Sequence, residues 1–335
     1  MWFLHKQMPY RCHTDKGTIM KLVIMLMLTL TLLFSQNFKQ PIAKFTSSGS
    51  VVDIVFKNDK VYSATNASCV DIFDFQSKKL IKKIEVDKIV DFMGETVDSK
   101  IYSVDVIEDK TLILSQDKQG FARAYIYQND KKEPIFDYTK GLGVLKAKFL
   151  DKNTILLGLL SNELISYDLK KHSYNWSIQV SGAKFSDFAL NESKSEVVIA
   201  DESGNLKIHN TKDGKLIKLL SGENLDNVFQ VDYKNGIIAT AGQDRKAVIY
   251  TLKPSSAYHI KSSFLIYSVG LSPSGKTVAY ASDENNNVSA VDTLSKSEIS
   301  KFGGNRITLT KIVFINENEF LVASDDKIIN LYSVK

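Results

Sequence analysis

From about residue 43 to its end the chain is built of short runs in which apolar and polar residues alternate at period two. The last segment shows the unit plainly: runs at 311–315, 319–323 and 328–334 are divided by Asn-Glu-Asn and Ser-Asp-Asp-Lys. Val, Ile, Phe, Leu and Tyr at period two suit pleated strands, and Asn, Asp and Ser accept the backbone angles of tight turns.

The unit recurs. Aligned on the third run, Tyr167, His209, Tyr250, Val291 and Tyr332 are spaced by 42, 41, 41 and 41 residues. Phe73 belongs to an earlier copy, and the 94 residues between it and Tyr167 leave room for one longer copy whose third run is 121–128, behind a looser hairpin at 115–120. Each second run ends in a small residue (Ala64, Ser115, Gly158, Ala200, Ala241, Ser282, Ala323), as a crowded inner layer requires. A fourth run follows in six copies, for example at 79–86, 173–180, 215–220 and 297–301. Repeats of about forty residues with four strands each are the blades of a β-propeller. The expected fold is therefore all-β, a seven-bladed propeller of four-stranded blades. The final copy stops after its third strand, whereas residues 41–46 read like a fourth strand without the preceding three. They are predicted to pair with 328–334 and close the last blade, removing an unpaired sheet edge.

The chain resembles the WD-repeat family over about residues 40–335. The dipeptide that names the family falls at Phe73-Asp74, Tyr167-Asp168, His209-Asn210, Tyr250-Thr251, Val291-Asp292 and Tyr332-Ser333. An aromatic or apolar residue holds the Trp place and a small polar residue follows in most copies. The hairpin Ser324-Asp325-Asp326-Lys327 is typical of the family as well. No copy has the Gly-His pair, so the family's buried Asp–His–Ser–Trp network is expected to be absent. Quinone-type and outer-membrane-assembly propellers are less similar, since their recurrent Thr-Gly…Trp element is missing and Trp176 is the only tryptophan outside the N-terminal region.

The N-terminus reads as an address. Met20-Lys21 precedes a run at 22–34 that is apolar except for two threonines, and Ser35-Gln36-Asn37 follows. One cation, about a dozen apolar residues and a polar break fit a secretory signal peptide, whereas a spanning helix needs about twenty residues. Cleavage is expected after Ser35, translation is expected to start at Met20, and the alternative is an uncleaved anchor. The domain plan is an N-terminal extension with signal peptide at 1–35 and a single propeller at 36–335, in the periplasm. Removing the first 35 residues leaves 39 basic against 37 acidic residues, so the overall excess of positive charge says little about partners.

Candidate chemistry is sparse. Cys12 and Cys69 are too few for a disulfide framework or thiolate metal site, and Cys69 reads as a small half-buried side chain. His172, His209 and His259 lie in three different copies without metal-ligand spacing; His209 holds an aromatic repeat position and reads as core. Gly141-Leu-Gly143 and Gly303-Gly304 read as links between blades rather than phosphate loops. Asp283-Glu284 and Asp325-Asp326 are hairpin residues out of order for a calcium loop. The run Lys78-Lys79…Lys82-Lys83 reads as an outer edge kept polar, with a membrane or acidic-partner patch as a second role. Only Arg11, Arg123, Arg245 and Arg306 are arginines, which argues against nucleic-acid recognition. Asn66, Asn175, Asn191 and Asn287 are sequons that matter only in a eukaryotic secretory pathway. No residue is nominated as catalytic, cofactor-binding or metal-ligating, and no cofactor is expected.

The expectation is a non-catalytic, monomeric interaction scaffold, met through loops of one face: 181–183, 222–226 and 303–306, with the hairpins near Asn66, Asn162 and Asn205. A central-channel enzyme of lactonase or oxidoreductase type would need carboxylates or histidines converging from the blade starts, and such a set is not expected. In overall character the chain also resembles the NapL family, accessory propellers encoded with the periplasmic nitrate reductase of epsilonproteobacteria. That resemblance implies reductase subunits as partners and a supporting or maturation role. A general envelope-assembly factor is the alternative.

Overall fold

The computed structural model describes Lys21 and residues 38–335; the expected signal peptide and start site lie outside the described residues. Lys39–Lys335 forms one compact unit. It contains seven four-stranded antiparallel sheets arranged as a propeller, the architecture the forty-residue period predicts. Blade 1 comprises Val51–Lys57, Lys60–Thr65, Cys69–Asp74 and Leu80–Glu85, from the innermost strand outward. Blade 2 runs Ile101–Ile107, Lys110–Gln116, Ala122–Gln128 and Lys131–Phe136, and blade 3 runs Val144–Asp151, Thr154–Leu159, Glu163–Asp168 and Ser173–Gln179. Blade 4 is Phe185–Leu190, Glu196–Asp201, Leu206–Asn210 and Leu216–Leu220; blade 5 is Val228–Lys234, Ile237–Gly242, Lys246–Thr251 and Ser256–Lys261. Blade 6 is Val269–Leu271, Thr277–Ala281, Val288–Asp292 and Glu298–Phe302, and blade 7 holds Leu309–Phe314, Glu319–Ser324 and Ile328–Ser333.

Blade 7 takes its fourth strand from the other end of the chain. Ala43–Thr46 pairs antiparallel with Ile328–Ser333, Ala43 opposite Leu331 and Thr46 opposite Ile328. Phe45 is fully buried there against Phe73 and Phe75 of blade 1, with ring centroids at 5.6 and 6.2 Å. Lys39 extends the seam by a parallel bridge to Phe302 on the outer strand of blade 6. Closure therefore joins three blades with one short segment.

The second and third strands carry the core, being buried on both faces between neighbouring blades, which is why they read as nearly continuous apolar runs. The small residues at the ends of the second strands are the tight places. A Cβ on Gly158 would lie 2.6 Å from the Phe185 ring of blade 4. In blade 6 the pairing Ala281↔Val288 puts Ala281, not Ser282, at this place; Ser282 has already left the strand to bond the Asn287 backbone. The longer second copy owes its length to a hairpin, Ile89–Val90 with Thr96–Val97, inserted in the link between blades 1 and 2.

Blade 5 ties its incoming link to its strands through a buried polar chain. Asn224, in the link from blade 4, donates to the Tyr250 hydroxyl at 3.0 Å and accepts from Thr240 Oγ1 at 2.9 Å, and Asp244 accepts from the neighbouring Leu225 N–H at 2.9 Å. Asn224 and Thr240 are buried, so the chain satisfies polar groups that would otherwise be stranded. Blade 7 repeats the idea with the Tyr332 hydroxyl donating to Gly303 O at 2.8 Å beside Asn305.

Deleting residues 36–47 should abolish the cooperative melting transition or lower it sharply, since it strips the edge from Ile328–Ser333 and empties the Phe45 site. The single change Phe45→Ala should cost about 3–5 kcal/mol in denaturant unfolding at an unchanged m-value.

Candidate functional site

The channel at the centre of the ring is charged, and the reason is a repeated backbone irregularity. In six of the seven blades the register between first and second strands slips by one residue near the start of the first strand. A β-bulge re-aims the side chain at the slip. The residues on its far side are Asp53, Ser103, Lys146, Asp187, Gln230 and Lys311, all polar. Blade 6, which has no bulge, contributes Ser268 next to Val269, and Ser268 is fully buried.

In blades 1 to 5 these side chains reach the next blade. Asp53 Oδ2 accepts from Val104 N–H of blade 2 at 3.2 Å, and Ser103 Oγ accepts from Ala147 N–H of blade 3 at 3.0 Å. Lys146 Nζ donates to Phe188 O of blade 4 at 2.8 Å, and Asp187 Oδ2 accepts from Val231 N–H of blade 5 at 3.2 Å. Gln230 Oε1 accepts from Ser268 Oγ of blade 6 at 2.9 Å. Blade 7 reaches blade 1 through Thr310 Oγ1, which donates to Val51 O at 2.8 Å. One layer further along, Asp105 accepts from Phe149 N–H at 2.7 Å and Asp232 from Leu271 N–H at 2.8 Å.

Ion pairs overlie this belt. Lys146 Nζ lies 2.5 Å from Asp187 Oδ1, Lys148 Nζ lies 3.1 Å from Asp53 Oδ2, and Lys311 Nζ lies 3.9 Å from Asp187 Oδ2. Burial pushes the Asp53 carboxyl up, but Lys148, Lys311 and Lys146 outweigh it and hold the group below the usual carboxylate range. Burial pushes the Lys146 ammonium down to about 8; Asp187 opposes the shift, and the nearby Lys311 and Lys148 add to it. Burial also acts to lower Lys311, yet Asp187, Asp53, Asp232 and the adjoining Lys146 side chain leave it above the ordinary lysine value.

The belt stands between two chambers, both of which share Asp53, Lys146 and Lys311 in their walls. The larger, about 380 Å³, opens past Asn191, Glu192 and Lys194 toward the side bearing the hairpins that join first to second strands. The smaller, about 160 Å³, is walled by Val52, Tyr102 and Phe229 toward the side bearing the links between blades. The expectation that no carboxylates converge from the blade starts is thus corrected: Asp53, Asp105, Asp187 and Asp232 all lie on first strands. Each already accepts from backbone N–H groups of the ring. A signal was available in the sequence, an apolar–any–polar–apolar start to each copy: Val51-Val-Asp-Ile, Ile101-Tyr-Ser-Val, Val144-Leu-Lys-Ala, Phe185-Ser-Asp-Phe, Val228-Phe-Gln-Val, Leu309-Thr-Lys-Ile.

The two faces of the ring differ in charge. Among the described residues, segments on the link side (links between blades and the turns from second to third strands) carry 14 acidic and 8 basic residues. Those on the opposite, hairpin side carry 7 acidic and 11 basic, so the faces are polarised. The link side also exposes Val90, Phe92, Met93, Leu160, Leu225 and Ile307, whereas Leu294 is exposed on the other. The inserted hairpin is the most prominent of these features, with Phe92 96% and Met93 71% exposed at its tip. Its shape is set locally: Asp91 Oδ1 accepts from Met93 and Glu95 N–H at 2.9 Å each, and Gly94 takes the left-handed turn position at φ 85°. Its base is fixed by buried Ile89 and by Asp98, which bonds Ser68 Oγ at 2.9 Å and pairs with Lys88 at 3.1 Å.

The loops expected to bind are placed on the link side, but several of their residues serve the fold. Asn162 and Ser181 both donate to buried Asp201, at 2.9 and 2.8 Å, and Asn66 Oδ1 accepts from Ser50 N–H at 2.9 Å. In 222–226 Asn224 is buried while Leu225 points outward. Cys69 is fully rather than half buried, and burial pushes its thiol up, away from the reactive range. His209 is buried at its aromatic place with Nδ1 2.8 Å from Gly214 O, and burial pushes its pKa down. His259 sits on the outer strand of blade 5, 3.3 Å from Glu223, and His172 in a turn at φ 52°. Lys82, on the outer strand of blade 1, pairs with Asp130 in a turn of blade 2. Among the described residues no helix is long and apolar enough to cross a membrane, and no group of three or more His, Cys, Asp or Glu is placed to hold a metal ion.

By fold and lining the protein is a seven-bladed β-propeller with a charged central channel and one acidic, apolar-tipped face. In comparisons with known proteins, no family model matches the chain and no curated protein matches it.

Asp53→Ala should cost about 3–5 kcal/mol, because it leaves the buried Lys148 ammonium without its carboxylate, holding only the Val104 carbonyl, and strands the Val104 N–H as well. The pH dependence has a definite sign. Between pH 8 and about 10 the unfolded chain binds a proton at Lys146 that the native state has released, so this residue makes stability rise with pH there. In low-salt zwitterionic buffer, wild type measured against Lys146→Met should gain on the order of 1–3 kcal/mol across that window.

Proposed function

We propose that the protein is a non-catalytic periplasmic interaction scaffold that presents its link side to a protein partner. The observation carrying this reading is the inserted hairpin: a large apolar pair held outward by a short, internally bonded turn. Ordering such a tip before contact lowers the entropy lost on binding, and an aromatic side chain offers a compact anchor. Asp87, Asp91 and Glu95 beside the tip, with the acidic excess of the face, favour a partner pocket that is apolar inside and basic at its rim. The export signal read at 22–35 supports the periplasmic address. The resemblance to the NapL accessory propellers supports a role in maturing or supporting periplasmic nitrate reductase, with its subunits as partners.

A second reading is favoured by the channel. Two chambers walled by lysines and carboxylates suit a small polar ligand, and a channel enzyme of lactonase or oxidoreductase type would use the same place. The commitment of each carboxylate to backbone donors argues for a structural role instead.

Affinity capture from native periplasm, with residues 36–335 as bait and Phe92→Ser/Met93→Ser beside wild type, tests the proposal. Selective recovery of nitrate-reductase subunits that falls at least tenfold in the double variant is expected. Recovery of many unrelated envelope proteins would favour the general assembly factor. Undiminished recovery by the variant would remove the hairpin from the interface.

A further inference from the structure

The belt is unbalanced at one position. Lys148 is matched by Asp53, but Lys146 and Lys311 share a single carboxylate, Asp187, at 2.5 and 3.9 Å. Asp232, the other carboxylate acting on Lys311, lies 3.7 Å from Lys234 and accepts from Leu271 N–H. Asp105 forms no ion pair with Lys146, Lys148 or Lys311. The belt proper therefore holds three ammoniums, Lys146, Lys148 and Lys311, against two carboxylates, Asp53 and Asp187.

Lys311 is also the exception in the ring of bonds between blades. Lys146 at the equivalent place in blade 3 donates to a backbone carbonyl of the following blade. Among the described residues Lys311 donates no hydrogen bond to an oxygen and its one ion pair is with Asp187 at 3.9 Å, while its side chain is only 18% exposed. A largely buried ammonium without a close acceptor is costly, and a counter-ion is the usual remedy. Space for one exists, since both chambers meet Lys146 and Lys311. The larger chamber opens on the basic side of the ring, which would draw an anion inward.

We propose that the channel belt is a binding site for a small monoanionic carboxylate, held between the ammonium groups of Lys146 and Lys311. Two neighbouring ammoniums match the two oxygens of one carboxylate better than they match a spherical ion. The ligand supplies the missing negative charge, so binding needs both lysines protonated. In the free protein Lys146 gives up its proton near pH 8, whereas Lys311 keeps its own well above that. Affinity should consequently be constant between about pH 6, where the ligand is fully ionised, and about pH 8, and weaken up to tenfold per pH unit above that, as each binding event must first return a proton to Lys146. The site does not depend on the link side's partner, and the two readings stand or fall separately.

The test is a thermal-melt titration of residues 36–335 with sodium acetate in low-salt zwitterionic buffer, with sodium chloride in parallel. A saturable rise on the order of 2–4 °C at about ten times the dissociation constant is expected with acetate, and a smaller one with chloride. Repeating it at pH 7, 8.5 and 9.5 should show the predicted weakening. Lys311→Met removes the excess charge while leaving the Lys146–Asp187 pair whole, so it should fold and lose the acetate response; Lys212→Met, in an exposed turn, should keep it. No saturable response in wild type, an equal response to chloride, a response indifferent to pH, or one that survives in Lys311→Met would overturn the proposal.

Discussion

Seven separate sheets make one molecule only if each is tied to the next, and here the tie is the bulge at the start of the first strand. Apolar packing between blades is strong but weakly directional, so it leaves the depth of one blade against another poorly specified. The polar side chains released by the bulges of blades 1 to 5 supply the direction. Asp53 bonds Val104, Ser103 bonds Ala147, Lys146 bonds Phe188 and Asp187 bonds Val231, each crossing one blade boundary at the channel wall. Because the donors and acceptors are main-chain groups, a shift in any blade would strand several at once.

The same concern for unpaired groups explains the ends of the chain. A ring of sheets has no open edge at its seams only if the last blade is complete, and residues 43–46 complete it from a distance of almost the whole chain. Phe45 adds packing between blades 7 and 1, so closure rests on apolar contact as well as on pairing. In blade 5 Asn224, Thr240 and Tyr250 form a chain of bonds between link, second strand and third strand. What persists is the need to satisfy a buried hydroxyl and a link at once, and more than one set of residues meets it.

The two proposals rest on two parts of this frame. The link side holds an ordered apolar tip in an acidic surround, which suits a protein partner. The belt concentrates charge where the wall is buried on both sides, which suits a small ion. The first depends on an insertion that other blades lack; the second depends on bulges that nearly all blades share. Neither requires acid–base chemistry, and the depressed carboxyl of Asp53 is poorly suited to it.

The sequence by itself determined the all-β class, the seven copies, the four strands in each and the strand exchange that closes the ring. Those features live in short-range patterns: alternation within a strand, turn residues between strands, and a repeat interval near 41 residues. It also placed His209 correctly and most of the small residues of the second strands; in blade 6 Ala281 holds the place expected for Ser282, and in blade 2 Leu114 stands opposite the bulge residue where Ser115 was expected. Only the tertiary structure decided what the first strands do. A bulge is a fact of pairing register and leaves the alternation almost intact, so Asp53 and Lys146 read as ordinary outward positions. Which lysine meets which carboxylate follows from closing the circle: Lys148 and Asp53 are 95 residues apart and become neighbours solely because blades 1, 2 and 3 wrap one channel.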